Sequence, residues 1–521
     1  MPKDLLDELN QKDIVDPSLQ RNFTIVMAEQ NFDLNPHTAA YSNEAQLLDA
    51  LYEGLFSYNP KTLEPTPAIA SEYKISRDKK RWTFTIRSDA KFSDGSSITA
   101  QDVKDSWLAL LKTKNAPYAS LLDCISGAEE YRTGKAKADD VRITARNANT
   151  LVVVLKSPTA HFSRLLCHHA FSVQKKKAYS GAFVLKNRDS KKIVLEKNKN
   201  YWDAKRVNLP QITVEMSNNL KDNSWKFNDE KADWVASMID VKSLLNKNSL
   251  RISAIFGTEY LFFSCKKAPW TNADLRNALL TAVPWKELRK GLIQPATTLV
   301  FPLAGYPKVE GLSETSPEDA IDMMKAARKS LKLKDSEKLT LTFGVIKDSE
   351  KQKSQYELLK KAWEPLGVEL KMVTADDARY VQKIPDWDCD LFSYSWIGDF
   401  ADPVAFLELF REDSTLNPSN WKNDKFNSFL EQASQTNDSS ERNKLLSKAE
   451  QVLLDDGEIL PIGHSFCMHA VNLDKIGGWS LNALDIHPFK YLYIREKTQK
   501  IQRAPNIVMG DAENFDLLSQ L

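Results

Sequence analysis

Apolar and polar residues alternate strictly over Trp82-Thr83-Phe84-Thr85-Ile86. A period of two places alternate side chains on opposite faces, which predicts a strand. Short β-rich runs predict further strands over Phe23–Met27, Leu151–Leu155, Ile193–Glu196, Gln211–Glu215, Leu339–Phe343 and Val368–Met372. A helical stripe of Leu47, Leu48, Leu51 and Leu55 runs through Glu44–Phe56, the spacing of an amphipathic helix. Helices are also expected over Gln101–Leu111, Asp274–Leu280, Pro317–Leu331, Gln355–Trp363 and Glu441–Leu454. Thr99 and Asp102 form a capping box ahead of the first of these: the hydroxyl accepts from the third amide while the carboxylate reaches back. Asn35-Pro36 marks a loop and Asp94-Gly95 a turn.

Strand and helix alternate between residues 339 and 410, which predicts an α/β lobe. A chain of 521 residues is too long for one ordinary core, so two or three domains are expected. No repeat or low-complexity linker separates them, so the lobes should be joined by short strand crossovers, with the chain passing between them more than once. Residues 1–21 read as an arm and the last two dozen residues as a tail.

The strand-like run Asp390–Tyr394 opens into Ser395-Trp396-Ile397-Gly398-Asp399-Phe400-Ala401-Asp402-Pro403, and an apolar helical patch, Val404–Phe410, follows. A carboxylate beside an aromatic ring at the mouth of a strand can hold a cation in a partly dry place, because carboxylate and ring face both attract an ammonium group. That pattern points to a receptor for an amine-bearing small molecule.

The totals narrow the classes. Lys and Arg number 71 against 70 Asp and Glu, a net charge of +1, which argues against a nucleic-acid binder. No stretch approaches the roughly 20 apolar residues that span a bilayer. The polar start, Met1-Pro2-Lys3-Asp4, carries no apolar signal core, so the protein is either cytoplasmic or has lost a targeting segment. The five widely spaced cysteines, Cys124, Cys167, Cys265, Cys389 and Cys467, read as mostly reduced, buried thiols, with one disulfide left open. Cys167-His168-His169 and His464 to His469 raise a metal hypothesis, but neither has paired zinc-ligand spacing, and in a strand His464 faces away from Cys467 and His469. No metal or other cofactor is expected. No phosphate loop, nucleophile elbow or zincin motif occurs, so no catalytic residue is assigned.

Several motifs occur in order: Tyr52-Glu53-Gly54-Leu55, Pro67-Ala68-Ile69-Ala70, Lys91-Phe92-Ser93-Asp94-Gly95, Thr99-Ala100-Gln101-Asp102-Val103, Asn198-Lys199-Asn200-Tyr201-Trp202 and Trp396 to Pro403. Together with Pro117-Tyr118-Ala119-Ser120 and Leu275-Arg276-Asn277-Ala278-Leu279, they make the chain resemble the extracytoplasmic solute-binding proteins of ABC peptide importers, the oligopeptide-binding branch of solute-binding protein family 5. The resemblance runs from about Phe23 to about Ile494.

The resemblance implies an α/β, two-lobed periplasmic-binding-protein fold, type II-like, with three domains and a cleft between the lobes. Domain I would comprise 22–57, 165–258 and 472–495, an inserted domain II 58–164, and the second lobe 259–471, with the arm at 1–21 and the tail at 496–521. It implies an exported, periplasmic or cell-surface receptor that takes an oligopeptide and hands it to a membrane ABC permease. The receptor would be a monomer with no membrane span of its own and a lipid anchor at a lost N-terminus. By the same match Asp399 would hold the peptide's ammonium, Trp396 would wall the first side-chain pocket with Gly398 beside it, and Tyr118 would be a first-lobe contact. Glu29 and Asn31 would edge the ligand. The chain also departs from the family. Ser393 stands where an arginine is expected, Gln352 where a histidine is expected, and Pro284 where an acidic residue is usual, so the holder of the ligand carboxylate stays open. A carrier of a metal chelate or a cell-wall peptide, or a surface interaction protein that has left transport, are the alternative readings.

Overall fold

A computed structural model describes residues 15–375, 380, 384–400, 402–436, 438–495 and, as backbone, 507–508. Most of the N-terminal arm and the tail, and Ala401 of the acidic motif, therefore lie outside the described residues. Eleven strands form one continuous sheet. One half stacks Trp234–Ala236, Phe23–Met27, Gln211–Met216, Lys192–Lys197 and Phe183–Arg188 side by side. The other half carries Leu391–Ile397, Leu339–Ile346 and Val368–Ala375. Two long antiparallel strands, Leu250–Phe263 and Ile459–Val471, join the halves. The first pairs with Leu391–Ile397 through Gly257–Phe263. The second pairs with Trp234–Ala236 through His469–Val471. Their mutual register slips between Ala254 and Thr258, an irregularity that bends and twists a strand pair. The fold is the two-lobed α/β arrangement.

A separate four-stranded antiparallel sheet, Ala70–Ile75, Arg81–Ile86, Thr150–Val154 and Ile143–Asn147, packs beside helix Ala100–Lys112. Burial along Arg81–Ile86 alternates as its sequence does. The capping box forms: Thr99 Oγ1 accepts from the Asp102 amide at 3.3 Å, and the Asp102 carboxylate accepts from the Thr99 amide at 2.7 Å. The motifs Tyr52-Glu53-Gly54-Leu55 and Asn198 to Trp202 interlock. Glu53 accepts from Tyr201 Oη at 2.8 Å, from Trp202 Nε1 at 2.6 Å, and from the Lys490 ammonium. The end of the arm docks: Gln20 exchanges side-chain hydrogen bonds with the Ile494 backbone at 2.9 and 3.0 Å.

One expected helix ends early, and two strands went unread. The helix expected to Phe56 spans Ser42–Leu51, and Phe56–Tyr58 is a strand. The chain straightens because Gly54 presses on the Leu166 carbonyl, where a Cβ would come within 2.6 Å, and because the Leu55 carbonyl accepts from the Ala68 and Ala70 amides. The two joining strands carry no alternating signature. Both are buried along most of their length on both faces, where period two disappears, and Pro461 and Gly463 read as breakers.

Candidate functional site: an acidic, aromatic-walled cleft

The acidic motif continues directly from strand Leu391–Ile397 and lies against the joining strand Leu250–Phe263. The Gly398 amide donates to the Phe256 carbonyl at 2.7 Å. A Cβ on Gly398 would meet the Phe256 ring at 2.5 Å, so only glycine lets the next residue sit here. That residue, Asp399, has a side chain only 10% exposed, and its Oδ1 lies 3.3 Å from His168 Nε2. His168 Nδ1 accepts from the Ala170 amide at 3.2 Å, so the neutral ring carries its proton on Nε2, the nitrogen nearer the carboxylate. The Tyr58 hydroxyl lies 3.0 Å from the carbonyl oxygens of both Asp399 and Arg164.

Aromatic rings wall the carboxylate. Tyr118 sits 4.3 Å from the His168 ring and 6.3 Å from Trp396, ring centre to ring centre. Trp396 stacks on Tyr394 at 6.4 Å and 17°. The Trp396 indole N–H donates to the Ala405 carbonyl at 2.9 Å, so its ring face is what it offers a ligand. Burial, with Asp399 second, holds the Tyr118 phenol well above its ordinary pKa.

These groups line a cleft of about 440 Å³, the size of a small-ligand site. Tyr118, Trp396, Gly398 and Asp399 line it together with His168, so the structure brings four of the expected residues to one place. Glu29 and Asn31 are not brought there. Both are exposed: Glu29 pairs with Lys191 at 3.1 Å and Asn31 accepts from Arg188 at 3.3 Å. The chain past Phe23–Met27 loops outward before Tyr41 and Ser42 return it to the cleft. Asp402, the second acid of the motif, faces a different and larger cavity of about 1530 Å³, beside the four-stranded sheet. Burial would raise its carboxyl, but a two-pronged bond from Arg442 at 2.8 and 2.9 Å holds it below the usual range.

Ser393 and Gln352 both line the cleft and are spoken for. Ser393 N–H donates to Tyr380 Oη at 3.3 Å, and Gln352 Oε1 accepts from the Ile346 amide at 2.6 Å. The basic group in the cleft is their neighbour Lys351, paired with Glu259. Sequence reasoning missed Lys351, Asp49 and His168 as cleft residues. The resemblance pointed one position away from Lys351, and His168 stood out only inside a metal motif.

Cys467, His469 and Asp485 bring ligand-type atoms within 4.8 Å of one another. His469 Nδ1 accepts from Trp234 Nε1 at 3.1 Å, and its Nε2 donates to Asp485 at 2.9 Å. Ligation through Nε2 would move the ring proton to Nδ1, against the Trp234 N–H. The cluster is a satisfied hydrogen-bond network, extended by His487 at 3.0 Å. As expected for a strand, His464 points the other way, to Thr258 at 2.9 Å.

A large sheet shared by two lobes, with a carboxylate walled by aromatics between them, defines a two-lobed ligand receptor. The chain belongs to the bacterial extracellular solute-binding proteins, family 5, whose sequence model matches residues 64–417. It is 30% identical over 467 residues to the oligopeptide-binding protein OppA of Bacillus subtilis, covering 83% of this chain and 85% of that one. The solved murein tripeptide-binding protein MppA of Escherichia coli superposes with a TM-score of 0.81 at 26% identity, over 93% of this chain and 100% of that one. The unliganded open form of a murein tripeptide-binding protein MppA superposes with 0.62 at 27%, over 92% and 98%. The lower score fits a closed arrangement here, in which Tyr58 reaches Asp399 and the Ser120 amide donates to Thr415 Oγ1 at 3.1 Å. No helix among the described residues is long and apolar enough to cross a membrane.

Proposed function

We propose that this protein is a non-catalytic receptor that binds oligopeptides in the cleft and delivers them to a membrane ABC permease. The observation that carries the reading is the nearly buried Asp399 carboxylate, held in place by His168 and walled by Tyr118 and Trp396. It is a seat for an ammonium group, and the free amino terminus of a peptide fills it. The rest of the peptide lies extended and pairs through its backbone, while water fits varied side chains to the pockets. The register slip in the joining strands is the hinge, and the closed state is populated because the ligand touches both lobes only there. Domain I is 22–57, 165–258 and 472–495, domain II is 58–164, and the second lobe is 259–471. The protein works as an exported monomer. The name of the Bacillus subtilis relative supports the peptide reading.

Native mass spectrometry of the protein purified without denaturant tests it. A ladder of co-purified peptide masses is the expected result, and an empty cleft that binds no peptide overturns it. The likeness to a murein tripeptide-binding protein favours one second reading, a cell-wall peptide carrier, which would show as a single discrete mass.

A further inference from the structure

We infer that Asp49 is a second cation seat in the same cleft, so that the preferred ligands carry a lysine or arginine beside their free amino terminus. This rests on the peptide reading. Four carboxylates line the cleft: Asp49, Glu259, Asp399 and Asp485. Three of them have partners in the chain. Glu259 is paired with Lys351, Asp399 with His168, and Asp485 with His469 and His487. Asp49, on helix Ser42–Leu51, has no hydrogen-bond or ion-pair partner among the described residues.

The basic groups around Asp49 are engaged elsewhere. The Lys490 ammonium is held by Glu53, and His168 takes the Ala170 amide on Nδ1 and sets Nε2 3.3 Å from Asp399 Oδ1. Burial, opposed by His168 and Lys490 and assisted by Glu53, pushes the Asp49 carboxyl up to about 7. A carboxylate drawn out of water without a partner is unfavourable, and an arriving cation relieves it. His168 is the shared neighbour of Asp49 and Asp399, so the two acids flank one imidazole. The α-ammonium of a peptide and the end of a long basic side chain on the same residue form a matching pair of charges.

The test compares lysyl-alanyl-alanine with norleucyl-alanyl-alanine, which keeps the same hydrocarbon stem without the ammonium. Calorimetry at pH 8 on ligand-stripped protein would read both peptides against wild type and Asp49→Asn, with Asp49→Ser standing in if the first variant misfolds. In wild type the lysyl peptide binds about tenfold tighter. In the variant the gap closes to less than about twofold, while the norleucyl peptide binds as before. Equal binding of the two peptides to wild type, or a gap that survives the substitution, overturns the Asp49 seat and leaves the peptide reading standing. Failure of both peptides to bind overturns the two together.

Discussion

Replacing Asp399 with asparagine removes a charge and little else. The substituted amide keeps the size of the carboxyl and an oxygen to face His168 Nε2, and the Gly398 amide still donates to the Phe256 carbonyl, so the loop has no reason to move. The wild-type side chain is 10% exposed, so solvent screens it weakly and the charge acts at close to full strength on a bound ammonium. A hydrogen bond to a charged group contributes about 1.5–3 kcal/mol, roughly tenfold to a hundredfold in affinity at about 1.4 kcal/mol per decade. If closure leaves the ligand's ammonium buried and unpaired, the loss rises toward about 3–5 kcal/mol, roughly a hundredfold to a few thousandfold. Calorimetry with tetra-alanine and N-acetyl-tetra-alanine on wild type and Asp399→Asn completes a double-mutant cycle. The expected result is a loss of at least about tenfold for the free peptide and almost none for the acetylated one. Unchanged affinity for tetra-alanine, or an equal loss for both peptides, refutes the ammonium seat.

Three further outcomes follow from named contacts. His168→Ala removes the imidazole 3.3 Å from Asp399 Oδ1 and should weaken peptide binding about fivefold by calorimetry, a polar contact of about 1 kcal/mol; an unchanged constant would mean that Asp399 is oriented by its backbone alone. Gly398→Ala drives a methyl group to 2.5 Å from the Phe256 ring, an overpacking of about 1–3 kcal/mol. A lowered thermal midpoint together with weaker binding is expected, and an unshifted midpoint would show that the ring gives way. His464 is pushed down to about 4 by burial, so the folded state resists its protonation. Its neutral form contributes stability that is complete above the ordinary value of 6.5 and drains away as pH falls toward 4. Wild type should therefore lose up to about 3 kcal/mol relative to His464→Gln between pH 7.5 and pH 4, at about 1.36 kcal/mol per pH unit. Denaturant melts of both proteins at the two pH values read that difference, and a constant gap between them would disprove the shift.

Elements with a local cause were legible in the chain. The strand Arg81–Ile86 half-buries its faces and so alternates. The helix Ala100–Lys112 announces its start through Thr99 and Asp102. Trp396, Gly398 and Asp399 share one short motif, so the resemblance already placed them side by side, and all three line the cleft. What stayed hidden depends on long-range packing. The strands Leu250–Phe263 and Ile459–Val471 are covered on both faces and lose their periodicity. Asp49 lies within a helix, on a surface that becomes a cleft wall only when the other lobe faces it. Glu29 and Asn31 were placed by counting from a strand end, and the loop after Met27 turns them outward.

The placement of Asp399 ties recognition to closure. Its loop hangs from the Phe256 carbonyl through the Gly398 amide at 2.7 Å, and the Phe256 amide in turn donates to the Ala483 carbonyl at 2.6 Å. Phe256 lies within the slipped register between Ala254 and Thr258, where the joining strands pass from one lobe to the other. Trp396 is the strand partner of Thr258 at the edge of the same slip. On the proposed reading, in which the slip is the hinge and Asp399 the ammonium seat, an ammonium group pulling on Asp399 pulls on the segment about which the lobes turn. His168 and Tyr58 meet the same residue from the opposite side. A ligand that neutralises Asp399 strengthens a junction that the chain has already assembled from both lobes. On that reading the anchor and the hinge are one structure, and loss of the charge should weaken closure together with binding.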